Sequence, residues 1–314
     1  MTAAPLVLLD SASLYFRAFF GVPQSMTSPD GMPVNAVRGF TDTVARIIAE
    51  RRPCRLVACL DADWRPAFRV ALLPSYKAHR VADEAANAEE VPDTLSPQVP
   101  IILNVLAAAG IATAEAAGHE ADDVIGTLTA RERVDRVEAI TGDRDLFQIV
   151  RDRPTPARVI YVGKGWQKAE HIGPVELAAK YGLPDFEPGP AYADLALLRG
   201  DPSDGLPGVA GIGEKTAAKL LVEFGSLTGL LEATVAGDGR VPPRIAQKLA
   251  AAADYLTRAP AVVRVVTDAP IEFSGPDPVP AAPADPDRLA ELAVRWGLDS
   301  SVRRLTEAMA ANAR

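Results

Sequence analysis

The chain has 314 residues, 48% hydrophobic and 24% charged, a composition that excludes wholesale disorder and leaves enough chain for one large or two modest domains with a real core. Its formal net charge of −8, from 33 basic and 41 acidic residues, argues at face value against a nucleic-acid partner. The opening MTAAPLVLLD lacks a basic n-region and its apolar run stops at Asp10, so no signal peptide, membrane span or membrane partner is expected and the protein is read as cytoplasmic.

Short apolar runs recur along the first half: LVLLD (6–10), LVACLD (56–61), IATAEA (111–116), VEAITGD (137–143) and VIYV (159–162). Each is apolar on both faces and is separated from the next by a helix-length segment, which predicts buried parallel strands in an α/β, doubly wound sheet over about residues 1–170. Cys54 and Cys59 flank and enter the second run, too sparse for zinc or a disulfide framework, and read as free thiols. The helix before the third run is bounded by Ser96 as cap, Pro97 at its first position and Gly110 at its end. From 171 to 273 the pattern turns helical, with one further strand expected at VVRVV (262–266). A Pro/Ala linker (274–286) and one amphipathic helix around 287–310 complete the chain, with no internal repeat evident.

Acidic residues gather where this sheet would bind a ligand. Asp10, Asp61 and Asp143 end three predicted strands, Asp145 follows two residues on, and ligands of open parallel sheets bind outside such strand ends. In "GHEADDVIGT" Glu120, Asp122 and Asp123 open the next helix. The helix dipole favours one or two acids there by about 0.3–1 kcal/mol each, but a cluster repels itself unless something positive lies between. Asp201 and Asp204, in LRGDPSDGLPG, bring the acids to nine. Carboxylates without His or Cys suit Mg²⁺ or Mn²⁺, and nine are enough for two or more ions, the arrangement used to hydrolyse phosphodiesters. With nine acids neutralised by metal, 32 remain against 33 bases, so the acidic total no longer opposes DNA.

GLPGVAGIGEKTAAKLLVEFGS (205–226) misses the nucleotide P-loop spacing, because Glu214 separates Gly213 from Lys215. It reads instead as a helix-hairpin-helix. Gly208, Gly211 and Gly213 would expose backbone N–H groups to a phosphate, with Lys215, Thr216 and Lys219 on the following helix. LDADW approaches the DxDx[TV] motif of haloacid dehalogenase-type phosphatases, but Arg65 stands where Thr or Val is required and the hairpin would go unexplained. A non-catalytic DNA-structure binder would be expected to lack some of the nine acids.

DSASLYFRAF, FRVALLPSYKAHR, HEADDVIGTL, TGDRDLFQIV and LRGDPSDGLPGVAGIGEKTAAKLL follow one another as in the 5′ nuclease (flap endonuclease) family, and resemble its members fused to bacterial DNA polymerase I, over about residues 5–270. The resemblance implies a PIN-like fold and a structure-specific, sequence-independent 5′ flap endonuclease and 5′-3′ exonuclease. Its substrates would be DNA with a 5′ flap, nick, gap or 5′ overhang, and RNA-primed strands. It further implies one ion on Asp10, Asp61, Glu120 and Asp122, a second among Asp123, Asp143, Asp145, Asp201 and Asp204, and K⁺ in the hairpin. Lys77 and Arg80 of SYKAHR resemble the basic residues that reach the scissile phosphate. They would share a helix face if a helix begins there. An arch over the site, within about 77–95, is acidic in this chain, which puts threading of a flap in doubt. A monomer is expected. Tyr15, Phe16, Phe19 and Phe20 suggest core more than base stacking, and Trp64, Arg65 and Arg69 either phosphate contacts or ordinary surface charge.

Overall fold

The computed structural model describes residues 4–83 and 88–313. In chain order the strands are β1 (Leu6–Asp10), β2 (Arg55–Cys59), β3 (Val81–Asp83), β4 (Ala88–Glu89), β5 (Ala112–Glu115), β6 (Val137–Thr141), β7 (Ala157–Tyr161), β8 (Glu170–Ile172) and β9 (Glu272–Phe273). The helices of the first half are α1 (Ser11–Gly21), α2 (Asn35–Arg51), α3 (Ala67–Leu72), α4 (Val99–Ala109) and α5 (Ala121–Arg131). They continue with α6 (Pro174–Tyr181), α7 (Pro188–Arg199), α8 (Glu214–Phe224), α9 (Leu227–Val235), α10 (Pro243–Ala251), α11 (Ala253–Arg258), α12 (Pro260–Val263), α13 (Pro286–Trp296) and α14 (Asp299–Asn312).

All five expected strands form, and their register is parallel across β7-β6-β1-β2-β5. Every residue of β1 and β6 is buried, which the two-sided apolar runs require. β8 and β9 close the two edges antiparallel. One core cluster lies between the sheet and the C-terminal half, around Leu8, Val124 and Leu197. The other lies between the sheet and α2, α4, α13 and α14, around Val44, Ile102 and Leu305. Among the described residues no helix is long and apolar enough to cross a membrane.

Four local expectations are corrected. VVRVV is not a strand: Pro260 starts α12, and the backbone beyond it is bound by side chains, Val265 N–H by Gln148 (2.9 Å) and Val266 N–H by Asp123 (2.9 Å). Ser96 makes no cap bond, because the chain enters α4 through a 3-10 turn, Ser96–Gln98. The terminal helix is two helices, since Gly297 turns left-handed (φ +64°) between α13 and α14. The Pro/Ala stretch is pinned to β2 and α4: Leu56 N–H donates to Asp277 O (2.9 Å) and Asp285 N–H to Ala108 O (2.9 Å). The arch segment forms a β3–β4 hairpin, with residues 84–87 of that expectation lying outside the described residues.

Candidate active site

The carboxyl ends of β1, β2 and β6 and the start of α5 surround one cavity of about 390 Å³, lined by Asp10, Asp61, Glu120, Asp122 and Asp143. Asp10 ends β1 and caps α1, accepting from Ser13 N–H (3.2 Å) and, on its other oxygen, from the Thr141 hydroxyl (2.5 Å). Asp61 accepts from Ala121 N–H (2.7 Å), which joins the loop after β2 to the first turn of α5. Ser13 accepts from Gly142 N–H (2.8 Å), and Asp143 accepts from Asp145 N–H (2.9 Å), so the TGDRD turn is held on the same wall. Lys77, Arg80 and Arg17 supply the basic part of the lining, Phe16 and Trp64 the aromatic part, and Glu89 adds a further acid. A small neighbouring cavity of about 20 Å³ shares Glu120 and Asp122 and adds Asp145 and Asp204.

Burial drives the electrostatics. It pushes the Asp10 carboxyl up to about 7, with Asp61 and Asp143 adding repulsion against the lowering effect of Thr141 and Ser13. Burial, then the charges of Asp10 and Asp143, hold Asp122 well above the usual carboxylate range. Asp145 is raised by burial and by Asp143, Asp204 and Asp201. Such a set ionises together only with positive charge among it. Lys77 donates its ammonium to Glu120, and Arg80 pairs with Asp204 (3.0 Å). Among the described residues no three acids are gathered closely enough to hold a metal ion by themselves. An open basin of carboxylate oxygens fits a hydrated, oxygen-seeking divalent cation that keeps several of its waters.

The structure separates the nine acids by position. Asp123 does not face the cavity: it is fully buried, and its carboxylate is forked onto Arg69 (2.6 and 2.8 Å) and receives Val266 N–H. Asp201 caps the turn Pro202–Asp204, accepting from Ser203 N–H (2.9 Å), and is near enough to Asp145 to raise it. Lys77 and Arg80 line the cavity together, but not on an α-helix. Lys77 is left-handed (φ +48°) ahead of a 3-10 turn, and its N–H is held by Asp204 O (3.1 Å).

Arg69 is neither a phosphate contact nor surface charge; at 3% exposure it bonds Glu120, Asp123 and Val262 O. Tyr76 was missed by counting charges: its hydroxyl donates to Glu120 (2.7 Å), and its only signal was its place in SYKAHR. Of the four aromatics of α1, Phe19 is core, Phe16 lines the cavity and Phe20 is 72% exposed.

Beyond Asp204 the chain passes from α7 to α8 through a glycine-rich bend. A Cβ on Gly208 would lie 2.4 Å from Gly200 N, so only glycine permits this approach of the two chain segments. Ile212, 2% exposed, anchors the bend, and Gly213 caps α8. Lys215, Thr216 and Lys219 stand exposed on α8. Neither lysine has an ion-pair partner among the described residues.

Comparison with known proteins agrees with this geometry. Residues 5–182 match the family model of the 5′-3′ exonuclease N-terminal resolvase-like domain, and residues 188–287 that of the 5′-3′ exonuclease C-terminal SAM fold. A 5′-3′ exonuclease of Mycobacterium tuberculosis is 57% identical over 311 residues, 98% of each chain. One of Streptomyces coelicolor is 55% identical over 308 residues, 97% of this chain and 100% of that one. DNA polymerase I of Bacillus subtilis is 35% identical over 271 residues, 86% of this chain and 28% of the polymerase. Among solved structures, the bacteriophage T5 flap endonuclease, in a pseudo-enzyme–product complex with DNA and metal ions, superposes with a TM-score of 0.62 at 18% identity, covering 97% of this chain and 99% of that one. Human GEN1 with Holliday junction DNA gives 0.61 at 16% identity, covering 99% and 73%. At these identities the two likenesses show the fold.

Proposed function

The chain belongs to the 5′-3′ exonuclease family and hydrolyses phosphodiester bonds as a 5′ nuclease, and we propose that its carboxylate basin does so with divalent cations on DNA gripped by the helix-hairpin-helix. The observation that carries this reading is the convergence of Asp10, Asp61, Glu120, Asp122 and Asp143 with Lys77 and Arg80 on one cavity at the strand ends. The substrates are 5′-flapped, nicked, gapped or 5′-overhanging duplexes and RNA-primed strands, and one copy of the chain suffices.

Asp10, Asp61, Glu120, Asp122 and Asp143 would hold Mg²⁺ or Mn²⁺ on the large cavity, and Asp145 and Asp204, with Asp201 beside them, a second ion. Bound there, such ions lower the pKa of attacking water and stabilise the leaving oxygen. The protein's own residues do the positioning. Lys77 and Arg80, already aimed into the cavity by Glu120 and Asp204, donate to the scissile phosphate as charge builds on it. Tyr76 and Arg69 fix Glu120 from beneath. The hairpin takes hold of backbone phosphates and not of base edges, so the cut is set by distance from the duplex end and not by sequence. K⁺ on the hairpin carbonyls belongs to the same reading; one of these, Gly211 O, already accepts from Lys248 (2.6 Å).

A timed digestion of an end-labelled 5′-flap duplex tests the proposal. Cleavage at the flap junction with Mn²⁺ or Mg²⁺, and none with chelator, is expected. Equal cutting in chelator would overturn the metal role, and cutting confined to certain base sequences would overturn the backbone-only grip.

A further inference from the structure

The helical half contains an internal repeat that composition conceals. GIGEKTAAKLL (211–221) and RVPPRIAQKLA (240–250) align without a gap, pairing Ile212 with Val241, Lys215 with Arg244, Lys219 with Lys248 and Leu220 with Leu249, each 29 positions apart. The three-dimensional structure repeats in the same register. Ile212 N–H donates to Val209 O (2.9 Å), and Val241 N–H donates to Asp238 O (2.9 Å). Ala217 N–H bonds Gly213 O (3.0 Å), and Ala246 N–H bonds Pro242 O (3.0 Å). Ile212, Leu220, Val241 and Leu249 are all buried in one core cluster. The turn into α10 therefore repeats the turn into α8, and α9 and α10 make a second hairpin with a shorter connection than that between α7 and α8.

The second hairpin differs where it would meet a ligand. Pro242 and Pro243 replace Gly213 and Glu214, which removes two backbone N–H donors from the helix start, so a phosphate here has to be met by side chains. Arg244 stands exposed at the place of Lys215, and its side chain has no hydrogen bond or ion pair among the described residues. Its neighbour in the chain, Arg240, is by contrast closed onto Asp238 (2.7 Å) and lies near Glu223. Four residues on from Arg244, and so on the same helix face, Lys248 donates to Gly211 O at the tip of the first hairpin (2.6 Å). A Cβ on Gly211 would lie 2.7 Å from that ammonium, so the two hairpins are in direct contact.

We propose that residues 236–248 form a second duplex-holding unit, in which Arg244 binds a backbone phosphate separate from the one held at Lys215 and Lys248 sets the spacing between the two. This rests on the proposed function in one respect, that the first hairpin binds duplex DNA. It adds a second, side-chain-only contact to the grip.

The test is equilibrium binding of a fluorescent 5′-flap duplex by the full chain in chelator, so that nothing is cut, as a function of salt. Arg244→Ala should weaken binding severalfold on every duplex sequence and reduce the slope of log K on log salt by about one, and Arg244→Glu should weaken it further. Lys215→Ala should do the same independently, and the double mutant should lose about two from the slope with additive effects. Lys248→Met should weaken binding and Lys248→Arg should restore it. If Lys215→Ala weakens binding while Arg244→Ala does not, or if the double mutant loses no more slope than Lys215→Ala alone, the second contact is wrong and the first hairpin stands. If neither variant changes affinity, the duplex role of the first hairpin falls with it. Arg244 is exposed, and an unchanged melting temperature confirms that each variant remains folded.

Discussion

Arg69 and Asp123 form a two-bonded fork directly beneath the candidate active site, 2.6 and 2.8 Å between heavy atoms, with the two residues 3% and 0% exposed. Asp123 is one of three acids crowded into a single turn, and the fork takes it out of the repulsive set. It also fixes the first turn of α5, where Asp123 N–H donates to Glu120 O (3.0 Å) and Glu120 N–H donates to the Asp123 carboxylate (3.3 Å). The acid at this position is therefore part of the scaffold.

Removing the Asp123 charge should unfold more than it inactivates. Asp123→Asn leaves the buried guanidinium with Glu120 as its one remaining anionic partner, and breaking a buried pair costs up to about 3–5 kcal/mol. A clear fall in melting temperature with or without divalent ions is expected. Asp145→Asn should instead abolish flap cleavage, leave flap binding within a few-fold, and keep or slightly raise the melting temperature, because it removes a like charge from a crowded set. Thermal denaturation and cleavage of the two variants side by side check the division, and a stable, inactive Asp123→Asn protein would return that residue to the metal set.

Lys77 and Arg80 are expected to act on the rate. Donors aimed at developing charge are worth on the order of 3 kcal/mol, or about a hundredfold each. Lys77→Ala and Arg80→Ala should lower the single-turnover rate at saturating enzyme far more than flap affinity, and the double mutant should fall short of additive if both grip one phosphate. An effect confined to the dissociation constant would reduce them to attraction of DNA.

Lys215 should report on the duplex alone. With a 5′-flap substrate, lengthening the single-stranded flap should leave the affinity loss of Lys215→Ala unchanged. Shortening the duplex until it no longer reaches α8 should erase that loss. A loss that grows with flap length would place Lys215 on the single strand.

A pH dependence is built in far from the cavity. Burial alone would raise the Glu132 carboxyl, but the N–H groups of Val134 and Asp135 and the Arg55 guanidinium (2.6 Å) outweigh it and bring it down to about 2 from 4.5. A carboxyl held below its unfolded value stabilises the fold above about pH 4.5, and that contribution is lost as pH falls toward 2. Glu132→Gln should lower stability at pH 7 and flatten the wild-type fall between pH 4.5 and 2 in urea titrations, with cleavage at neutral pH unaffected.

The five parallel strands were legible from local pattern alone, because a strand buried on both faces must be apolar along its whole length and short. The carboxylates at their ends were legible for a related reason: polar residues that end buried runs have only the rim of the sheet to occupy, so the sequence determined that Asp10, Asp61 and Asp143 share an edge. The hairpin was legible because a close approach of two chains admits only glycine at Gly208. Fold decided the rest, through partners distant in sequence. Whether an acid in EADD faces the carboxylate cavity or a buried arginine depended on Arg69, more than fifty positions before Asp123, and nothing in the local charge pattern separates Asp122 from Asp123. VVRVV had the residues of a strand, but its N–H groups found Gln148 and Asp123 before any ladder could form. The second hairpin is hidden in the sequence because the glycine that caps α8 is replaced at the start of α10 by Pro242, so that only the repeated backbone bonds and buried positions reveal it. Identity at a position is a local property of the chain, whereas the partner that gives an ionisable or polar group its role is supplied by tertiary contact.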